Sequence, residues 1–179
     1  GARRDGENQQ ALDRGRRVVL LDRDVEENMG ALAKESFGGI WFAGTPLQRR
    51  YGIRDGAELG LRDWHAFAEF GAEDHWPRAW AEAYVHRANE EIFDWLKRIG
   101  VEFMPMPLWV ERGLHTPGNS VPRWHIVWGT GHELQEVLNR HLLSRPGQDR
   151  LQLHFEHRVE TLLATNGRIS GCRGVLEGD

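Results

Sequence analysis

Arg17 to Asp22 reads Arg-Val-Val-Leu-Leu-Asp, a short unbroken apolar run closed by an acid. With no polar residue between Val18 and Leu21, neither face of an extended segment is suited to water, so the run predicts a buried parallel strand covered on both sides. Such a strand commits the chain to an α/β architecture, because parallel neighbours are joined by crossover helices that cover the sheet. Glu7 to Arg14, ahead of the strand, is compatible with a helix that Gly15 would end, and Gly1 and Gly6 stand in front of it.

A glycine loop, a helix, and a strand ending in an acid are the parts of a dinucleotide-binding unit. Glycines make the tight turn and let phosphate approach backbone N–H groups at the helix start, while the acid accepts hydrogen bonds from ribose hydroxyls. Gly1-Ala2-Arg3-Arg4-Asp5-Gly6 matches the first and third glycines of that fingerprint, and Arg3 occupies the second. On this reading Gly1, Gly6 and Asp22 hold the adenosine diphosphate half of a dinucleotide.

Further along, Asp55 followed by Glu58 predicts a capping box opening a helix with Leu61, Trp64 and Ala68 on one face. Asp74 and Pro77 begin a longer helix that Gly100 ends, and its stripe of Trp80, Tyr84, Ala88, Ile92, Trp95 and Ile99 is expected to be buried. Val101 to Trp128 reads as short strands and loops. Thr130 and Gly131 open a helix running to about Leu143. Three strands complete the chain, Leu151 to Phe155, Val159 to Ala164 and Ile169 to Leu176, with Asn166-Gly167 as a hairpin turn between the last two.

Composition narrows the function classes. A formal net charge of -4 offers no broad basic surface, so nucleic acid is not an expected partner. Cys172 is the single cysteine, which excludes an internal disulfide framework and a cysteine-rich zinc module. No apolar run approaches the roughly 20 residues of a membrane helix, and the polar first residues carry no secretion signal; a cytoplasmic location is the expectation.

Glu27-Asn28-Met29-Gly30-Ala31, then Ser36-Phe37-Gly38-Gly39 and Gly44-Thr45, resembles the flavin-binding region of the flavoproteins related to succinate dehydrogenase, fumarate reductase and ketosteroid dehydrogenase. Gly118 to His125 and Trp128-Gly129-Thr130-Gly131-His132 resemble that family's segment ending in a Thr-Gly helix start, and the likeness runs from about Arg16 to Gly174. The resemblance implies an FAD-dependent oxidoreductase that moves hydride between a carbon of a small-molecule substrate and flavin N5. It places Gly30, Ser36, Gly38 and Gly39 beside the ribityl chain and ring system and makes Val159 the backbone contact to adenine. Leu32 stands where members that attach FAD covalently carry a histidine, so bound FAD is expected to be non-covalent. Ala31 replaces the second glycine of the first pair.

The fold expected is therefore α/β, a Rossmann-like FAD-binding domain lacking its first strand. Its early part is residues 1–44, a helical and loop insertion covers 45–128, and the domain continues over 129–179. On this reading the chain is an N-terminal part of a flavoenzyme that holds FAD weakly or has lost it. The rival class is a non-catalytic remnant or interaction module that keeps the fold without cofactor. Arg123 and His125, between two family motifs, are the catalytic candidates: arginine binds carboxylates bidentately and histidine moves protons. No metal is expected. His132 and Glu136 share a helix face without a second histidine, and His154 and His157, three apart on a strand, would point to opposite faces. Trp64, Trp76, Trp80, Trp95, Trp109, Trp124 and Trp128 offer either core packing or a pocket for a flat substrate.

Overall fold

The computed structural model describes residues 11–110, 116–144 and 146–177, so Gly1, Arg3 and Gly6 lie outside the described residues. The chain divides into two compact units, one formed by residues 1–35 with 138–179 and the other by residues 36–137.

In the first unit, residues 11–13 are helical and Gly15 ends the turn at φ +72°, its N–H donating to the Leu12 carbonyl at 2.9 Å. The left-handed conformation there is the one glycine adopts without steric cost. Strand β1 (Val18–Leu21) pairs in parallel with β4 (Leu151–His154), Val18 opposite Leu151 and Leu21 opposite His154. Leu12, Val18, Met29 and Leu142 form the core beneath this pair, with Leu20, Leu151 and Phe155 packed against it.

On the other face of β1 Val19 is 57% exposed and Leu21 half-buried, so among the described residues that face is covered only in part, short of the burial on both sides that was expected. An unbroken apolar run does not by itself say how many layers pack on it, and among the described residues this sheet has two strands. Strands β5 (His157–Thr165) and β6 (Arg168–Leu176) form an antiparallel hairpin closed by Asn166 and Gly167 at φ +51° and +74°, the positive pair that a two-residue primed turn requires. Its register puts Val159, Leu162, Ala164, Ile169, Cys172 and Leu176 on one face, and all of them are exposed.

In the second unit, β2 (Gly39–Trp41) pairs antiparallel with β3 (Trp124–Ile126). Helix α1 (Pro46–Arg50) starts at Thr45 with a full capping box: the Gln48 N–H donates to Thr45 Oγ1 at 3.1 Å and the Thr45 N–H donates to Gln48 Oε1 at 2.9 Å. Pro46 supplies the first helical residue, where its missing N–H costs nothing. Helix α2 (Ala57–Ala68) follows with Gly56 at its cap position and no side-chain cap, so the Asp55 capping box expected from the sequence does not form. Asp55 is engaged elsewhere.

The long helix expected between Asp74 and Gly100 is three pieces: α3 (His75–Ala88), a π-helical turn over Asn89–Phe93, and α4 (Asp94–Arg98). The side chains it buries are Ala81, Val85, Ala88, Phe93 and Leu96, whereas Trp80 is 55% exposed. Ala88 was in the expected stripe; before it the buried positions are Ala81 and Val85 in place of Trp80 and Tyr84, and after it the wide π turn inserts a five-residue step to Phe93 that a uniform 3.6-residue period cannot follow. Phe42, Ala88 and Phe93 form the core here, with Ile40, Tyr84, Ile92 and Phe103 around them. Helix α5 (Thr130–Leu143) ends the second unit and contributes its last turns to the first. No helix among the described residues is long and apolar enough to cross a membrane.

Candidate cofactor site

Asp22 follows the last residue of β1, at the carboxyl end of a parallel strand, the end at which open α/β sheets bind ligands. Its backbone ties three segments together. Its N–H donates to the His154 carbonyl at 2.9 Å, and its own carbonyl accepts from the His157 N–H at 2.8 Å. Beside it lies a cleft of about 620 Å³ lined by Leu21, Asp22, Arg23, His157, Arg158, Val159 and Glu160. Asp22 and Val159, named separately from the sequence, therefore line one cleft.

Asp22 Oδ1 accepts a hydrogen bond from the Asp24 N–H at 2.9 Å, which leaves Oδ2 without a described partner and available to a ligand hydroxyl. Arg23 and Arg158 bring positive charge to the same wall and share the Glu177 carboxylate, Arg23 at 3.3 Å. Arg158 also pairs with Glu160 at 2.9 Å, so the group left open here is the Asp22 oxygen, which at the end of a parallel strand suits ribose hydroxyls and fits the adenosine half of a dinucleotide.

Two of the glycines assigned to the flavin half stand where other parts of the chain come close. Gly38 lies at φ +64°, and a Cβ there would meet the Thr130 carbonyl carbon at 2.6 Å and the Gly131 nitrogen at 2.7 Å. A Cβ on Gly39 would fall 2.2 Å from the Trp124 indole. Ser36 completes this corner: its hydroxyl accepts from the Gly38 N–H at 3.2 Å, and its carbonyl accepts from the Gly131 N–H at 2.9 Å. The small residues thus let the start of α5 and an indole ring close on the chain. Thr130 itself is at φ +63°, a region costly for a β-branched residue, so this corner stores backbone strain. Gly30 is left-handed at φ +103° before a short 3-10 turn, and Ala31 after it is held at φ +41°.

Arg123 and His125 are both buried. Arg123 is 1% exposed and spends its guanidinium on two buried carboxylates. Nε and Nη2 donate to the two oxygens of Asp55 at 2.7 and 2.8 Å, and Nη1 donates to Asp63 at 2.6 Å. Ser120 donates to Asp63 through both its N–H and its hydroxyl, and Gln48 Nε2 donates to Asp55 and to the Pro122 carbonyl, each at 2.8 Å. Burial works to raise the Asp63 pKa, but the hydrogen bonds from Ser120 and Arg123 outweigh it and hold the carboxyl below its ordinary range.

His125 is equally buried. Its Nδ1 lies 2.8 Å from the Arg123 carbonyl, which can only accept, so Nδ1 carries the proton and Nε2 accepts from the Thr45 hydroxyl at 2.8 Å. Phe42, Phe93 and Phe103 meet the imidazole edge-on at 5.3, 5.9 and 6.1 Å. Burial lowers its pKa despite the Arg123 carbonyl and the Asp55 charge, so it is neutral at physiological pH. Both candidates thus make buried structural contacts, and they lie on or next to strand β3 rather than on a loop. Asp63 and Gln48 were not singled out from the sequence, and Asp55 and Thr45 were named there in other roles. Thr45-x-x-Gln48 behind Pro46 was a readable capping signature, whereas nothing local marked the two aspartates as partners of Arg123.

The tryptophans divide. Trp41, missing from the candidates, packs with Trp64 and Tyr84, its ring centres 5.1 and 6.4 Å from theirs, under the Arg123 guanidinium at 5.2 Å; Trp76 is 71% exposed and Trp128 61%. His154 and His157 also depart from expectation. They do not stand on opposite faces of one strand, because β4 ends at His154 and Glu156 turns the chain at φ +61° before β5 begins.

The FAD binding domain family model matches residues 9–177. The chain belongs to this family. Curated relatives include a KsdD-like steroid dehydrogenase of Mycolicibacterium smegmatis, 43% identical over 92% of the chain, and one of Mycobacterium tuberculosis, 42% identical over the same share. The chain spans 30% and 29% of their lengths. Among solved structures, the 3-ketosteroid-Δ4-(5α)-dehydrogenase of Rhodococcus jostii RHA1 in complex with 4-androstene-3,17-dione superposes with a TM-score of 0.69 at 22% identity, covering 90% of this chain and 37% of that one. The FAD-binding fold read from the sequence is thereby established, and FAD is the family's cofactor.

Proposed function

We propose that this chain is the FAD-binding portion of a flavin-dependent dehydrogenase whose substrate class is the ketosteroid-like small molecule. The observation that carries the reading is the cleft at the end of β1, where the free oxygen of Asp22, the Arg23 and Arg158 cations and the Val159 segment converge. Asp22 accepts the ribose hydroxyls and Val159 borders the adenine. Gly30, Ser36, Gly38 and Gly39 border the ribityl and ring half, and Gly1 and Gly6 take the pyrophosphate. FAD, when bound, supplies the hydride acceptor at N5, and this chain's residues hold and orient it. The substrate class rests on the kinship with KsdD-like steroid dehydrogenases. With Leu32 in place of a linking histidine, FAD is held without a covalent bond.

Titrating FAD into the chain, with ADP as competitor, tests this. ADP should displace FAD, denaturation should release it, and Asp22→Ala should weaken binding about ten- to a hundredfold, the loss of hydrogen bonds to a charged acceptor. Equal affinity in Asp22→Ala, with unchanged circular dichroism, would remove Asp22 from the site.

A further inference from the structure

His154 and His157 are brought face to face by the turn between β4 and β5. Their ring centres are 5.4 Å apart with planes at 57°. Neither imidazole belongs to the dinucleotide contacts proposed above, although His157 borders the same cleft.

The backbone beneath the pair is fixed from one side. Asp22 holds His154 and His157 through the two hydrogen bonds already described, and the Glu156 N–H donates to the Asp24 carbonyl at 2.9 Å. The ring of His157 is oriented as well: its Nδ1 lies 2.5 Å from the Phe155 carbonyl. Because a carbonyl only accepts, Nδ1 carries the proton and the lone pair of the neutral ring is on Nε2. A backbone carbonyl on one ring nitrogen, fixing the tautomer so that the other nitrogen can ligate, is the usual arrangement around a metal-bound histidine.

The separation suits shared coordination. With metal–nitrogen bonds of about 2.0–2.1 Å and ring centres about 1.1 Å behind the ligating nitrogens, two imidazoles at a tetrahedral angle have centres about 5 Å apart. No third ligating side chain joins the pair among the described residues. We propose that His154 and His157 together bind one divalent transition-metal ion of the Cu²⁺, Ni²⁺ or Zn²⁺ type, with solvent completing its coordination. Two imidazoles without thiolate or carboxylate leave the choice of ion to the intrinsic order of these metals, so Cu²⁺ binds most tightly.

Calorimetric titration of Cu²⁺, Ni²⁺ and Zn²⁺ into the full chain, without FAD, tests the site. One Cu²⁺ site per chain is expected, tighter than that for either other ion, with nitrogen hyperfine splitting from two imidazoles in the copper electron paramagnetic resonance spectrum. His154→Gln and His157→Gln should each weaken Cu²⁺ at least tenfold, and His132→Gln should leave it unchanged. His154 is exposed, so its variant reports on ligation even if His157→Gln perturbs the turn. Copper affinity unaltered in His154→Gln, or a two-nitrogen spectrum persisting in the double variant, would overturn the proposal.

Discussion

The two units handle charge and apolar surface in opposite ways. In residues 36–137, Asp55, Asp63, Arg123 and His125 are gathered inside, next to Phe42 at 0% exposure. In the unit formed by 1–35 and 138–179, the charged residues Asp22, Arg23, Arg158 and Glu160 line a cleft, while Leu162 and Ile169 on the hairpin are each 63% exposed. Buried charge must be fully paired, because each ion costs several kcal/mol to desolvate and only close partners offset that cost. Charge in a cleft is under no such constraint and can keep a lone pair free, as Asp22 Oδ2 does. Candidate ligand groups therefore belong where pairing is incomplete, and the buried network is a scaffold.

Breaking the scaffold gives the largest expected effect. Arg123→Met leaves Asp55 and Asp63 buried without their cation, and removing one partner of a buried pair costs about 3–5 kcal/mol. The melting temperature should fall by on the order of 10 °C. Hydrogen-exchange protection should be lost across residues 36–137. A shift of only a degree or two would mean that the network is wet and contributes little.

Acid sharpens the same contrast. Asp63 has a lowered pKa in the folded state, so the unfolded chain takes up its proton first as pH falls. Its stabilisation is complete above the ordinary carboxylate range and is lost as pH falls through the folded value. His125, also lowered, adds an earlier loss as pH drops below the ordinary imidazole value of 6.5, because the unfolded ring charges while the buried one stays neutral. Urea midpoints measured from pH 8 to 3 should fall across both windows. His125→Gln should flatten the upper window and Asp63→Asn the lower. Parallel curves in all three proteins would exclude these residues as the source.

The smallest effect probes the cofactor unit. Ala31 sits at φ +41°, where an L side chain is strained, so Ala31→Gly should relieve that strain and raise stability by up to about 1 kcal/mol, less the entropy that glycine adds to the unfolded chain. A denaturant midpoint lower than wild type would show that the alanine side chain contributes packing that outweighs its backbone.

Much of the fold was legible because its signals are local. The apolar run of β1, Gly15 at a helix end, the start of α5 at Thr130 and the Asn166-Gly167 turn each follow from steric and hydrogen-bonding preferences within a few residues. The cleft was half legible: an acid at a strand end can be read from the sequence, but its neighbours His157 and Arg158 come from a segment more than a hundred residues away. The π turn was not legible, since one extra residue in a helical turn leaves composition unchanged and shifts only the phase of what is buried.

The sequence by itself determined the order of most strands and helices and Asp22 as a candidate cofactor residue, because the spacing of apolar, glycine and acidic residues encodes these directly, while its resemblance to a known family implied the family, FAD and Val159. Only the tertiary structure decided that Arg123 belongs to Asp55 and Asp63, that His125 is a neutral core residue, and that His154 and His157 meet. Arginine and histidine look the same in a sequence whether they face a ligand or a buried carboxylate. Which of the two they meet depends on where distant segments return, and on the desolvation that a buried charge can bear only when those segments bring it a partner.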